Sequence, residues 1–206
     1  MKDSGRNEPS AWNLANAITL GRLFISFVFF FLLYKGKKQS TYEVAVGLFL
    51  VASLTDFLDG WVARKRNEVT AFGRMADPLV DKVLICGAMI LLCFKEEAEH
   101  LGMTAGVAAV VVIRELLVTF LRGYMESEGI PFGASWTGKA KLVVQTAAVL
   151  AVLFGLDYLS RSGRPLEGNL YWTVRGLLWV TMGITVWSGL EYLLKAWKHL
   201  RGEFRA

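Results

Sequence analysis

Cysteine and histidine are nearly absent from this chain of 206 residues, with two of each, and charged residues make up only 20% of it. Cys86 and Cys93 lie seven apart in one apolar stretch, too far along a helix to bridge. A disulfide-stapled fold is therefore excluded, and both read as small core residues. His100 and His199 are isolated and receive no role. The shortage of charge, set against 54% hydrophobic residues, excludes intrinsic disorder and is too apolar for an ordinary soluble domain. The charge present has a positive excess of +5. Without a water-facing basic stripe that excess argues against nucleic acid and for anionic lipid or a phosphorylated substrate. A cleavable signal is not expected, since the first ten residues are polar and no A-x-A site follows the first apolar run.

What is present instead is apolar length, with a mean hydropathy of +0.40. Six segments are each near the roughly 20 residues that a helix needs to cross a bilayer: Leu14–Tyr34, Tyr42–Ala63, Arg74–Phe94, Met103–Leu121, Lys141–Leu159 and Tyr171–Lys195. The expected fold is an all-α integral membrane protein, a bundle of six transmembrane helices. Thirteen Lys and Arg fall outside the spans or at their very ends on the side of the N-terminus and six on the other, which places both termini in the cytoplasm. No long linker and no transporter-type repeat is visible, so residues 1–206 form one domain, with 1–13 a polar interfacial segment. Gly102 with Gly106, and Gly176 with Gly183 among Trp172, Trp179 and Trp187, suit close helix packing, either within the bundle or across a homodimer seam.

Ionisable residues in or beside such spans are costly and therefore informative. Asp56 and Asp59 are three apart at the cytoplasmic end of the second span, and Asp77 and Asp81 four apart at the start of the third. Each pair shares a helix face, and the antiparallel return brings both to one depth. Four carboxylates so close would repel unless neutralised, and one or two divalent cations do this most cheaply. All-oxygen ligands select Mg²⁺ or Mn²⁺, with Ca²⁺ also admitted. Gly60 and Gly73 leave room for a ligand at the backbone, and Arg64 is placed to meet a phosphate. The plainer reading is a set of solvated helix-end charges, with Asp77 capping a helix before Pro78.

The run Asp56-x2-Asp59-Gly60-x2-Ala63-Arg64-x8-Gly73-x3-Asp77-x3-Asp81 resembles, without a gap, the signature of the CDP-alcohol phosphotransferases, membrane enzymes of phospholipid synthesis. Further matches are Asn13, Asn16, Thr19 and Arg22, the run Ser53 to Asp56, the run Ala76 to Lys82, Arg114-Glu115 with Arg122, and Ser135-Trp136-x-Gly138-Lys139-x-Lys141 with Gln145. They are similar to the branch of that family that makes phosphatidylglycerophosphate. Ala15 and Leu142 depart from it, where Pro and Thr are common. The resemblance implies transfer of the phosphatidyl group of CDP-diacylglycerol to an alcohol, with CMP leaving. It implies Asp56, Asp59, Asp77 and Asp81 as ligands of Mg²⁺ or Mn²⁺, two ions in all, with Asp81 the base. It implies Asp56, Gly60, Ala63, Arg64 and Gly73 as the CDP-binding positions. The diacyl tails are expected to need no pocket, since lipid reaches them sideways.

Arg114, Arg122, Lys139 and Lys141 are expected to converge on the cytoplasmic face, where they would hold the phosphate of glycerol 3-phosphate as acceptor. The opposing reading makes Lys139 and Lys141 part of the positive-inside excess, and Arg114 neutralised by acids such as Glu115, which adjoins it without facing it on a helix. The other readings are a sister enzyme using inositol phosphate, serine or phosphatidylglycerol, and a divalent-cation transporter, which would spread its acids along a pathway. Placement in the inner or plasma membrane, with the site facing the cytoplasm, follows from the orientation above.

Overall fold

The structure, a computed structural model, describes residues 14–36, 39–66, 71–130 and 136–202, and within these all side chains except those of 14–17, 39, 56–66, 71–79, 81, 137, 139 and 200. The order is α1 (Leu14–Lys35), α2 (Gln39–Arg66), α3 (Ala71–Cys93), a short α4 (Glu96–His100), α5 (Ala105–Ser127), α6 (Trp136–Ser162) and α7 (Gly168–Leu200). No strand occurs among the described residues. Three stretches, Ile18–Lys35, Ala140–Ser162 and Gly168–His199, are long and apolar enough to cross a membrane. α5 is as apolar through its first two-thirds, interrupted by Arg114 and Glu115.

Among the described residues the helices form two four-membered rings that share an edge. α1, α2, α6 and α3 pack in that cyclic order, and α3, α5, α7 and α6 close the second ring. α3 and α6 belong to both. The first ring encloses the core of Phe29, Leu33, Phe49, Met89 and Leu153, with Ala45, Ala52, Ala88 and Ala148 fully buried where helices approach closely. Phe29 stacks on Phe49 at 5.5 Å between ring centres. At the α1–α3 contact, a β-carbon on Gly87 would displace the Phe30 ring.

Polarity is arranged inside out. Thr19, Arg22, Ser26, Gln145, Thr181, Thr185 and Ser188 are buried, whereas Phe24, Phe31, Trp172, Trp179 and Trp187 each expose more than 60% of their surface. Apolar side chains standing outward on long helices are what a lipid solvent selects. Ser26 Oγ is satisfied locally, donating to the Arg22 carbonyl at 2.8 Å.

The connections alternate between two faces. On one face Lys95 Nζ donates to the Gly36 carbonyl at 3.1 Å, and Arg161 bridges Glu43 at 3.0 Å, tying the α1–α2 connection to the end of α3 and the start of α2 to the end of α6. Arg66 of α2, Ala71 of α3, Ser127 of α5 and Trp136 of α6 are the opposite ends of these helices.

Two sequence expectations are corrected here. Gly102 and Gly106 do not share a helix: Gly102 sits at φ +96° in the turn after α4, and α5 starts only at Ala105, with Thr104 Oγ1 accepting from the Val107 amide. Gly176 and Gly183 do lie on α7, but a β-carbon on either would meet nothing within 4 Å, so they are not close-packing points within the described bundle.

Candidate active site

The backbone sets the aspartates at matching heights. Asp59 lies seven residues before the end of α2 and Asp77 six after the start of α3, while Asp56 and Asp81 are each ten away. At about 1.5 Å rise per residue these are levels near 10 and 15 Å from the connection on both helices. The side chains of Asp56, Asp59, Gly60, Ala63, Arg64, Gly73, Asp77 and Asp81 lie outside the described residues. Elsewhere, among the described residues, no group of three or more His, Cys, Asp or Glu could hold a metal ion. Cys86 and Cys93 are free and half-buried.

Next to this end a cavity of about 440 Å³ opens in the first ring. It is bounded by Leu50, Ser53 and Leu54, the turn of α2 before Asp56, and by Leu84 and Ile85, the turn of α3 after Asp81. α6 contributes Leu142, Val143, Thr146, Ala147 and Leu150, and α1 contributes Arg22. The lining is apolar except for Arg22, Ser53 and Thr146. Ser53 Oγ is buried and has no hydrogen-bond partner among the described residues. A pocket for apolar chains was not expected, because periodicity along one helix does not reveal a void left between four.

The second ring holds an ionic group. Glu115 on α5, 5% exposed, accepts from Arg114 Nη1 at 2.9 Å and from Lys141 Nζ on α6 through the same Oε1. Lys141 and Arg114 are equally buried, at 6% and 7%. The expectation that Glu115 does not face Arg114 is therefore corrected. Consecutive helical positions diverge by about 100°, but the long Arg114 stem bends the guanidinium back to the carboxylate. Two cations on one carboxylate leave a net positive charge. Arg114 Nε is buried with no hydrogen-bond partner among the described residues, and Lys141 uses one of its three N–H groups on Glu115. The guanidinium also lies 5.7 Å above the Tyr192 ring.

Arg122 does not join this group. It is half exposed and pairs with Glu126 one turn on, at 2.9 Å. The side chain of Lys139 lies outside the described residues. Residues to which the sequence assigned no role contribute here. Lys82, next to Asp81, donates to Thr119 Oγ1, which in turn donates to the Glu115 carbonyl, linking α3 to α5. Gln145 Nε2 donates to Thr185 Oγ1 at 3.3 Å across α6 and α7. A polar residue in an apolar span was the available signal for Lys82, Glu115 and Gln145, but its partner was not readable.

Comparison with known proteins bears on this arrangement. The profile of the CDP-alcohol phosphatidyltransferase family matches residues 12–187. A CDP-diacylglycerol–glycerol-3-phosphate 3-phosphatidyltransferase of Bacillus subtilis (strain 168) is 34% identical, over 92% of this chain and 98% of its own. Proteins of the same description from Pseudomonas fluorescens and Escherichia coli (strain K12) are 33% and 32% identical, covering 94% and 90% of this chain and 94% and 95% of their own.

Proposed function

The chain belongs to the CDP-alcohol phosphatidyltransferase family, and on that premise we propose that it transfers the phosphatidyl group of CDP-diacylglycerol to glycerol 3-phosphate, giving phosphatidylglycerophosphate and CMP. The observation that supports the acceptor is the net-positive Arg114–Glu115–Lys141 group with its unused donors, on α5 and α6, both of which pack against the aspartate-bearing helix α3. A phosphorylated alcohol brings a phosphate dianion to place there, whereas serine brings a single carboxylate already balanced by its own ammonium.

The six long helices each span the membrane, with both termini and the aspartates on the cytoplasmic side of the cell membrane. The positive-inside count and the alternation of the connections support this. Arg114 and Glu115 keep α5 from being uniformly apolar, and their mutual pairing makes them tolerable there.

The donor set, four carboxylates at two heights on two helices, suits hard divalent cations, and Asp56, Asp59, Asp77 and Asp81 would hold Mg²⁺ or Mn²⁺. Such ions, when bound, neutralise the diphosphate and ease departure of CMP. Gly60, Ala63, Arg64 and Gly73 receive the CDP portion, their missing or short side chains leaving space and Arg64 adding charge. The cavity beside Ser53 takes the start of an acyl chain, entering from lipid. Lys141 and Arg114, with Lys139 on the same helix as Lys141, draw in the acceptor phosphate; Arg122, paired with Glu126, is left out of this group. Asp81 removes the proton from the primary hydroxyl as its oxygen attacks the β-phosphorus; the new P–O bond forms as the bond to CMP breaks.

The test is mass spectrometry of the lipid made by pure protein from CDP-diacylglycerol with each acceptor in turn. Phosphatidylglycerophosphate from glycerol 3-phosphate, with CMP released only when a divalent ion is added, is the expected result. A product from serine, inositol phosphate or phosphatidylglycerol instead would reassign the acceptor. Absence of CMP release with every acceptor would overturn the transferase reading.

A further inference from the structure

Arg175 stands seven residues into the apolar helix α7, and no carboxylate among the described residues lies within ion-pair distance of it. Its neighbours in kind differ: Arg114, Arg161, Lys141 and Lys195 each pair with Glu or Asp. The Arg175 guanidinium instead turns back one helical turn, donating to Tyr171 Oη and lying 5.5 Å above that ring. That direction is toward the start of α7, hence toward the membrane surface opposite the aspartates, as a snorkelling cation turns. Tyr171 and the exposed Trp172 mark the same level as an interface, where aromatic rings with a polar edge collect.

Beside Arg175 a groove of about 540 Å³ runs between α5 and α7. Its outer end is polar, with Thr104 and Glu99, and its inner end is apolar, with Val107, Val110, Trp179 and Met182. Gly102, held at φ +96°, forms the wall beside the Arg175 stem, and a β-carbon there would make ordinary contact with Arg175 Cγ at 3.7 Å. A cation at headgroup depth above an apolar channel has the polarity of a phospholipid in reverse. We propose that this groove binds a phospholipid of the leaflet opposite the active site, its phosphate on Arg175 and a chain along Val107, Val110 and Met182. The proposal rests on the spanning arrangement given above, not on the transferase chemistry.

The test uses the full chain in detergent with a phosphatidylethanolamine carrying a photoreactive acyl chain, followed by peptide mapping. Label is expected on residues 103–110 and 178–186. It should fall by about tenfold, the weight of one charge-assisted contact, in Arg175→Gln, and stay within about twofold of wild type in Arg175→Lys. Val107→Trp, which fills the channel without touching the charge, should lose label as well, and so guards against a misfolded Arg175→Gln. Excess unlabelled phosphatidylethanolamine should compete, while diacylglycerol and inorganic phosphate should not. Undiminished label in both Arg175→Gln and Val107→Trp, or equal competition by diacylglycerol or by inorganic phosphate, would overturn the site. Loss of transfer with labelling intact would count against the transferase reading alone.

Discussion

In the ring of α3, α5, α7 and α6 the interior charge is partnered from within, Glu115 taking both Arg114 and Lys141, whereas the ring of α1, α2, α6 and α3 encloses a cavity beside the aspartate-bearing helix ends. An internally paired group is largely self-sufficient, since most of its Coulomb energy is already spent inside the protein. Carboxylates gathered with like carboxylates need a partner from outside. On the proposed function, this difference gives the first ring to the donor and its metal, and the second, with its surplus positive charge, to the acceptor. α3 and α6 belong to both rings, and on that proposal the two substrates would meet across this helix pair.

The sharpest way to break this division is Asp59→Asn in the first ring, which keeps shape and removes charge. Turnover should fall below about one thousandth of wild type, because a metal-held diphosphate depends on several kcal/mol of charge stabilisation. Thermal stabilisation by Mg²⁺ should vanish with it; near-normal activity at ordinary Mg²⁺ would unseat Asp59 as a ligand. Asp81→Asn should lower the rate by about 10²- to 10⁴-fold while CDP-diacylglycerol still binds, the signature of a lost base. An equal loss of donor affinity would make Asp81 a ligand only.

In the second ring, Glu115→Gln leaves two buried cations without their anion. A loss of about 3 kcal/mol in unfolding free energy is expected, read from thermal or denaturant unfolding in detergent. A variant as stable as wild type would mean the group is hydrated in place. Lys141→Gln should raise KM for glycerol 3-phosphate by about tenfold and leave that for CDP-diacylglycerol nearly unchanged, as loss of one phosphate contact requires. Equal effects on both substrates would merge the two rings into one site. Smallest in its effect on activity is Asn67→Cys: it should be labelled from the cytoplasmic side by an impermeant thiol reagent, and labelling from outside only would invert the topology.

The helical class, the long apolar elements and the aspartate spacing were open to reading from the sequence, because each depends on neighbours within a few turns of one chain segment. The ends moved by up to six residues: Leu14–Tyr34 became Leu14–Lys35, Met103–Leu121 became Ala105–Ser127, and Lys141–Leu159 lengthened to Trp136–Ser162. Misreadings arose where a second segment decides. Gly102 and Gly106 looked like one helix face until the turn after α4 separated them.

What the sequence determined by itself is the helical periodicity, the surplus of apolar surface and the place of Asp56, Asp59, Asp77 and Asp81 along their helices, all properties of residues a turn or two apart. Only the tertiary structure decided that Lys141 reaches Glu115 from another helix, that four helices leave a cavity beside Ser53, and that Arg175 lines a groove without an ion pair among the described residues. Long flexible side chains choose partners by three-dimensional distance, and voids arise from how helices cross. Neither is encoded in the local order of residues.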